Sequence, residues 1–191
     1  EGVPIWAIQG SGDRSPYVRS DATTTGIVSG VFPDLHGFFI QETETDDNPA
    51  TSAGLFVLYG NASDAVGTLP VAVGDLVQLT GRVRELSGQT TLNVTNPDAL
   101  IIHSSDNPLP PATVIDPPQE TAAAAIYNET LEGMLVTLGE TAVAVAPVTQ
   151  YGEYVLVYDR WGVETVPRGA ETGFFIIVDD GSSIVHESQE T

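Results

Sequence analysis

Apolar and polar residues alternate along much of the chain, which is the pattern of a β-strand that buries one of its two faces. The clearest example is the stretch DLVQLTGRVREL, in which Val77, Leu79 and Val83 share one face. Arg82 and Arg84 share the other face, so we expect the first set to be buried and the second to be exposed. Helical patterns are scarce, and the best is QETAAAAIYNETLEGM, which predicts one short helix. The sequence therefore predicts an all-β protein.

Five short strands follow one another in the first half of the chain, in TTTGIVSGVF, GFFIQE, GLFVLYG, DLVQLTGRVREL and TTLNVT. The two glycines of the first strand predict a strong bend, and Ser87-Gly88 predicts a hairpin between the fourth and fifth strands. The fourth strand has the pattern G-D-x-V-x-x-x-G-x-V. In it, Gly74-Asp75 forms the turn into the strand, and Gly81 lets the strand coil around a small barrel. These features predict an OB-fold barrel.

A proline-rich stretch, SSDNPLPPATVIDPPQE, divides the chain, because neither a helix nor a central strand tolerates five prolines in so short a segment. We expect an N-terminal extended segment over residues 1–21, an OB-fold domain over 22–103, the linker over 104–120 and a second β domain over 121–191. Strands resume in GMLVTLG, TAVAVAP, EYVLVYD and GFFIIVD, but the fourth-strand pattern does not recur. The second domain is therefore expected to be OB-like and to need a further element to complete it.

Acidic residues far outnumber basic ones, with 26 Asp and Glu against 6 Lys and Arg and a formal net charge of -20. Every basic residue is an arginine. Such a surface repels phosphate backbones, so nucleic-acid binding needs bridging cations or a local basic strip. The charge balance alone argues against tight nucleic-acid binding.

Several other kinds of protein are disfavoured by what the sequence lacks. Cysteine is absent, which excludes disulfides, thiolate metal sites and a cysteine nucleophile. No stretch approaches the roughly 20 apolar residues of a membrane-spanning helix. The abrupt start, EGVPIWAIQG, indicates a processed or trimmed N-terminus.

A series of stretches resembles, in order, the non-catalytic region of large secreted bacterial nucleases: IQGSGDRSPY, TTTGIVSGVF, GFFIQE…DDNPATSAGLFVLYG, VAVGDLVQLTGRVRELSGQTTL, LEGMLVTL and DDGSS. In that family an OB-like region precedes an endonuclease/exonuclease/phosphatase catalytic domain. The resemblance implies an extracellular chain with a catalytic nuclease domain in cis. The chain itself is expected to be no enzyme, because His36, His103 and His186 are scattered and form no cluster with acids that would hold a catalytic metal.

Two acidic stretches are candidate calcium sites. Glu42, Glu44, Asp46 and Asp47 lie between two predicted strands, and the pair Asp179-Asp180 ends a later one. Calcium takes roughly 6–8 oxygen ligands at flexible distances, and acidic loops supply them. The alternative is a solvated loop whose charges prevent pairing with neighbours, with a turn at Asn48-Pro49. Calcium is the one candidate cofactor, and none is required.

The exposed face of the fourth strand is a candidate for weak binding of single-stranded nucleic acid. Arg82 and Arg84 would contact phosphates, and bases would stack on aromatic rings, as on other OB barrels. The possible platforms are Phe38, Phe39, Phe56 and Tyr59, of which alternation must turn two into the core. The alternative is that both arginines pair with local carboxylates.

Three functions remain open at this stage. The first is a non-catalytic OB-fold region of a secreted nuclease-like protein, acting as a spacer or as a module that presents nucleic acid or another substrate. The second is a structural subunit of an extracellular assembly that self-associates when another copy adds a strand. The third is a calcium-dependent binding module.

Overall fold

The computed structural model describes residues 2–60, 68–149, 152–166, 172–179 and 181. Their contacts divide the chain into two units. The first unit contains Glu1–Thr113 and Glu129–Leu135, and the second contains Val114–Asn128 and Val136–Thr191. The chain thus leaves the first unit, returns to it for seven residues and leaves again. We call Glu129–Leu135 the return segment.

Most of the regular structure is β, as the alternation predicts. In chain order the elements are α1 (Ile5–Gln9), β1 (Asp21–Phe32), β2 (Gly37–Gln41), β3 (Gly54–Tyr59), β4 (Leu76–Leu86), β5 (Gln89–Val94), β6 (Leu100–Ser104), β7 (Thr113–Ile115), α2 (Thr121–Glu129), β8 (Val136–Leu138), β9 (Ala142–Ala144), β10 (Tyr154–Tyr158) and β11 (Ile176–Val178). The alanine-rich helix falls where the sequence predicts it. None of the helices in the described part of the chain is long and apolar enough to cross a membrane.

Five strands of the first unit close into a ring. The sheet runs β1-β2-β3-β5-β4, and β1 pairs again with β4 to complete the circle. Strand β1 does this by changing partner along its length: Asp21–Ile27 pairs with β4, and Ile27–Phe32 pairs with β2. The register shifts between Val28 and Gly30, where the predicted bend falls. All pairs in the ring are antiparallel except β3 with β5, and β6 adds to β4 outside the ring.

Alternation determines which side chains fill the ring. Val77, Leu79 and Val83 are fully buried in the core, whereas Arg82 and Arg84 are exposed, as predicted. Phe38 also belongs to this core, together with Leu92 of β5. Burying each aliphatic side chain stabilises the fold by about 1.5–3 kcal/mol, so a slip of one residue in β4 would be strongly unfavourable.

Glycines make the tight features of the barrel possible. Ser87 and Gly88 both have positive φ, 54° and 85°, and join β4 to β5 in the predicted hairpin. At Gly81, a Cβ atom would come within 2.7 Å of the Asn93 carbonyl oxygen, so only glycine allows β4 and β5 to approach this closely.

The N-terminal segment differs from the extended conformation that the sequence predicts, because Ile5–Gln9 forms helix α1. A helix of five residues is too short to be stable alone. Ile5 and Ile8 are fully buried in the barrel core, and that burial stabilises it. Val3 N–H also donates to the Thr23 carbonyl at 2.7 Å. The segment belongs to the first unit.

The return segment is held against the barrel by hydrogen bonds and by close backbone contact. Leu135 N–H donates to Gln41 Oε1 at 2.8 Å, and Ser52 Oγ donates to the Glu132 carbonyl at 2.6 Å. A Cβ atom on Gly54 would lie 2.2 Å from the carbonyl carbon of Gly133, so the two glycines let the backbones touch.

The described residues of the second unit form two small sheets rather than a ring. One pairs β7 with β8, and the other has the order β11-β10-β9. Arg160 joins parts of this unit, because it pairs with Asp116 and Glu140 and lies over the ring of Tyr158, 4.5 Å from its centroid. The OB-like character of this second half and the domain boundaries drawn from the sequence stay predictions.

Candidate functional site

The acidic loop between β2 and β3 is organised by its own hydrogen bonds. Asp46 Oδ1 accepts from Asn48 N–H at 3.1 Å and from Thr51 Oγ1 at 2.8 Å. Asn48 Oδ1 accepts in turn from Ala50 N–H at 3.1 Å. Asp47 adopts φ 58°, a left-handed conformation that aspartate tolerates better than most residues. These are the features of a locally stabilised polar turn.

Glu42, the first acid of this stretch, is used elsewhere. Its carboxylate accepts from the backbone N–H groups of Ile5 and Trp6 at the start of α1. Burial raises the pKa of Glu42, and these hydrogen bonds offset only part of that effect. Glu42 therefore serves the N-terminal helix, and Asp46 and Glu44 are near enough to raise its pKa further.

No group of three or more His, Cys, Asp or Glu residues is placed to hold a metal ion within the described ranges. Glu44 and Asp47 are exposed in the loop. Asp179 Oδ1 accepts from Gly181 N–H at 2.6 Å in a turn, and Asp180 lies outside the described residues. Calcium binding at these acids stays a prediction.

A cleft beside the acidic loop is a feature that the alternation pattern does not indicate. It has a volume of about 310 Å³. One wall is the loop, the other is the return segment, and Trp6 of α1 contributes an aromatic side chain, half-buried at the cleft. The lining residues are Trp6, Thr45, Asp46, Asp47, Asn48, Pro49, Thr51, Ala53, Thr113, Thr130, Leu131 and Met134.

The predicted arginines line a second groove of about 270 Å³ on the outer surface of the barrel. Arg82 pairs with Asp21 at 3.1 Å, with both side chains largely exposed. Arg84 lines the same groove. The lining also includes Thr80, Asn93, Thr95 and Asn96. The expected alternative, pairing with a local carboxylate, therefore holds for Arg82.

Two further arginines reach the same end of β4 from the N-terminal segment. The backbone N–H of Arg19 donates to the Val83 carbonyl at 2.9 Å, which places the Arg19 backbone beside β4. Ser15 N–H donates to Glu85 Oε1 at 2.8 Å, and the exposed Arg14 directly precedes it. Two of the chain's six basic residues thus lie on β4, and the backbones of two more lie beside it. We call Arg14, Arg19, Arg82 and Arg84 the arginine edge.

The aromatic residues proposed for base stacking divide between the two faces. Phe38 is fully buried and Phe56 is 7% exposed, so neither ring is available to a base, which corrects the expectation for these two. Tyr59 is half-buried and packs against the core. Phe39 is half-buried on the outer face, with its ring centroid 4.9 Å from that of Phe56.

Strand register connects Phe39 with the arginine edge. Phe39 pairs with Phe56, Phe56 with Thr91, and Thr91 with Arg84. The four residues form one row across β2, β3, β5 and β4. With strands about 4.8 Å apart, the row runs roughly 14 Å around the barrel, and its two middle residues, Phe56 and Thr91, are buried.

A buried polar cluster lies under the return segment, and no sequence pattern indicates it. Glu132 Oε1 accepts from Thr90 N–H at 2.8 Å and from Gln9 Nε2 at 3.2 Å. Thr90 Oγ1 donates to Glu85 Oε1 at 3.1 Å, so one threonine joins two carboxyl groups. The other oxygen of Glu85, Oε2, is buried and has no hydrogen-bond partner among the described residues.

Burial raises the pKa of Glu132 to about 7, although the hydrogen bonds from Gln9 and Thr90 favour its ionised form. The neighbouring acids Glu129 and Glu85 raise it further. The pKa of Glu129 is itself raised by burial and by nearby acids. The cluster therefore favours a proton on Glu132 near neutral pH.

Comparison with known families adds no identification, because no family model matches the chain.

Proposed function

We propose that the chain is a non-catalytic, OB-fold binding module of a secreted nuclease-like protein, and that its first unit presents single-stranded nucleic acid along the arginine edge. The observation that carries the proposal is the gathering of four arginines beside β4 in a chain with a net charge of -20.

The shape of the barrel supports this proposal. Small closed five-stranded barrels of the OB type bind oligonucleotides across an outer face. Here the outer face carries Arg82, Arg84 and the amide of Asn96, and the half-buried ring of Phe39 lies in the same row as Arg84, three strands away. Arginines would contact phosphates, and Phe39 would offer a single stacking surface worth about 1–3 kcal/mol.

The overall charge sets the strength of this interaction. Long-range repulsion opposes every phosphate, and only the local field of the arginine edge is attractive. We therefore expect weak, strongly salt-dependent binding suited to holding a substrate near a catalytic domain in cis. In this proposal the chain itself performs no bond cleavage.

Fluorescence anisotropy with a labelled oligothymidine at low salt tests the proposal. We expect the double variant Arg82→Gln, Arg84→Gln to bind about tenfold more weakly. We also expect it to reduce the slope of log K against log salt by about 1.4, since each phosphate contact contributes about 0.7 for single strands. The control is Arg82→Lys, Arg84→Lys, which keeps both charges and should retain most of the binding. Equal losses in both variants, or no binding by the unaltered chain, would refute it.

A second candidate function is self-association by strand addition, favoured by the open sheet of the second unit. In the described part of that unit, no strand pairs with the outer edge of β11. Ile177 and Val178 of this strand are 65% and 40% exposed, and the chain has no lysine with which to block such an edge. A second copy would satisfy both the unpaired backbone groups and the apolar side chains.

A further inference from the structure

The cleft beside the acidic loop combines an apolar lining with negative charge. Trp6, Leu131 and Met134 supply aromatic and aliphatic surface, and Asp46 and Asp47 supply carboxylates. Its volume of about 310 Å³ is at the lower end of the range for small-molecule pockets, roughly 300–1,000 Å³. This size suits one extended side chain better than a folded surface.

The charge of the lining residues determines which charge a ligand of the cleft should carry. None of the twelve residues that line the cleft is basic, and two of them are aspartates. Asp46 makes both of its loop hydrogen bonds through Oδ1, so these bonds leave its Oδ2 uncommitted. An anionic occupant would be repelled. A purely apolar ligand would remove the carboxylates from water without forming an interaction that offsets the cost of their desolvation.

Both walls of the cleft are organised without any occupant. The loop is closed by the hydrogen bonds of Asp46 and Asn48 described above. The return segment is held by Met134 N–H donating to the Leu131 carbonyl at 3.0 Å and by the Gly54–Gly133 backbone contact. Walls that need no ordering lose little conformational entropy when a ligand binds.

We propose that this cleft binds an arginine or lysine side chain of a partner protein. The aliphatic stem would lie on Trp6, Leu131 and Met134, and the cationic head would meet Asp46 and Asp47. A cation held near an indole also gains from the ring's negative face. A basic partner is complementary to a chain with a net charge of -20. This proposal does not depend on the nucleic-acid function, because it uses a different surface.

Nuclear magnetic resonance of the two indole N–H groups provides a direct readout with an internal reference. The chain has two tryptophans, Trp6 at the cleft and Trp161 in the second unit, and a Trp6→Phe variant assigns the signals. The probe is the capped peptide Gly-Arg-Gly-Arg-Gly, titrated into the full chain beside the matched peptide Gly-Gln-Gly-Gln-Gly. We expect the arginine peptide to shift the Trp6 signal saturably and the Trp161 signal not at all.

A pair of variants tests the role of the aspartates. Asp46→Asn, Asp47→Asn removes both charges, while the amide oxygen introduced at position 46 can still accept the loop hydrogen bonds. We expect it to weaken arginine-peptide binding by roughly fivefold to tenfold. Glu44→Gln is the control, since it removes an acid of the same loop that does not line the cleft. The Glu44→Gln variant should bind the arginine peptide as tightly as the unaltered chain does.

Four results would overturn the proposal: no shift of the Trp6 signal, an equal shift with the glutamine peptide, an equal loss in Glu44→Gln, or displacement of the peptide by calcium chloride that exceeds the effect of sodium chloride at the same ionic strength. The last of these would assign the aspartates to an inorganic cation instead. Weakening of the peptide shift by added salt, in contrast, is expected for a screened charge pair.

Discussion

Glu132 offers the sharpest test of the physical reasoning, because replacing this glutamate with glutamine exchanges one carboxyl oxygen for an amide nitrogen and changes little else. Burial holds the pKa of this carboxyl group at about 7 in the folded chain, against 4.5 for an ordinary glutamate. The folded state therefore binds more protons than the unfolded state between these two values. Stability from this group is present at low pH and is lost as the pH rises through about 7.

The substitution Glu132→Gln removes the titration and keeps the geometry. A glutamine oxygen can still accept from Thr90 N–H and Gln9 Nε2, as Glu132 Oε1 does. Glutamine therefore imitates the protonated carboxyl group at every pH. We expect the variant and the unaltered chain to be equally stable near pH 4.5 and the variant to be the more stable one at pH 8.

The size of the expected stability difference follows from the shift in the pKa of Glu132. A change from 4.5 to about 7 corresponds to about 3 kcal/mol at 1.36 kcal/mol per unit. Glu132 is only partly buried, so solvent screening reduces this to about 1–2 kcal/mol. For a chain of this size, that is a difference in Tm of roughly 3–6 °C.

Thermal unfolding at several pH values, followed by circular dichroism, measures this difference. Subtracting the Tm of the unaltered chain from that of the variant at each pH cancels every other titrating group. Glu44→Gln is the control, because it removes an exposed carboxylate of the same unit and should show no such pH-dependent difference. The reasoning fails if the Glu132→Gln difference is the same at pH 5 and pH 8, or if the variant is the less stable one at pH 8.

The remaining predictions concern packing, self-association and the return segment. Gly81→Ala should lower the free energy of unfolding by about 1–3 kcal/mol, measured in urea, because the new Cβ would lie 2.7 Å from the Asn93 carbonyl oxygen; an unchanged midpoint contradicts this. Light scattering should show concentration-dependent oligomers that Ile177→Lys abolishes, whereas a monomer at all concentrations removes the strand-addition function. Gly54→Ala should displace the return segment and raise the rate of hydrogen exchange at Leu135, whose N–H donates to a barrel side chain. Unchanged protection of the Leu135 N–H would show that the close Gly54–Gly133 contact is dispensable.

Much of the barrel could be predicted because its signals are local. A strand has a period of two, so the aliphatic positions of β4 determine which face enters the core and which carries Arg82 and Arg84. The turn at Ser87-Gly88 follows from the conformations that its residues allow. Helix α1 was missed, although Ile5 and Ile8 have helical spacing, because so short a helix depends on burial in a core that is built mostly by later strands.

The candidate sites were predictable only where they lie on a single strand or loop. Arg82 and Arg84 share one face by alternation, but the backbones of Arg14 and Arg19 come near β4 only because the N-terminal segment runs beside that strand. The acidic loop was visible in the sequence. The cleft beside the loop was not visible, because its lining is distant in sequence. Trp6 lies near the N-terminus, and the second wall of the cleft is the return segment.

The sequence by itself therefore determined the all-β class, the strands of the ring and the inward and outward faces of β4, since backbone geometry and side-chain period act over a few residues. The tertiary structure alone decided where charge is buried. Glu132 looks like an ordinary surface acid in the sequence, and its raised pKa arises because packing brings it to Thr90, 42 positions away, and to Gln9, 123 positions away. Contacts at such separations depend on how the whole barrel closes, and no local pattern records them.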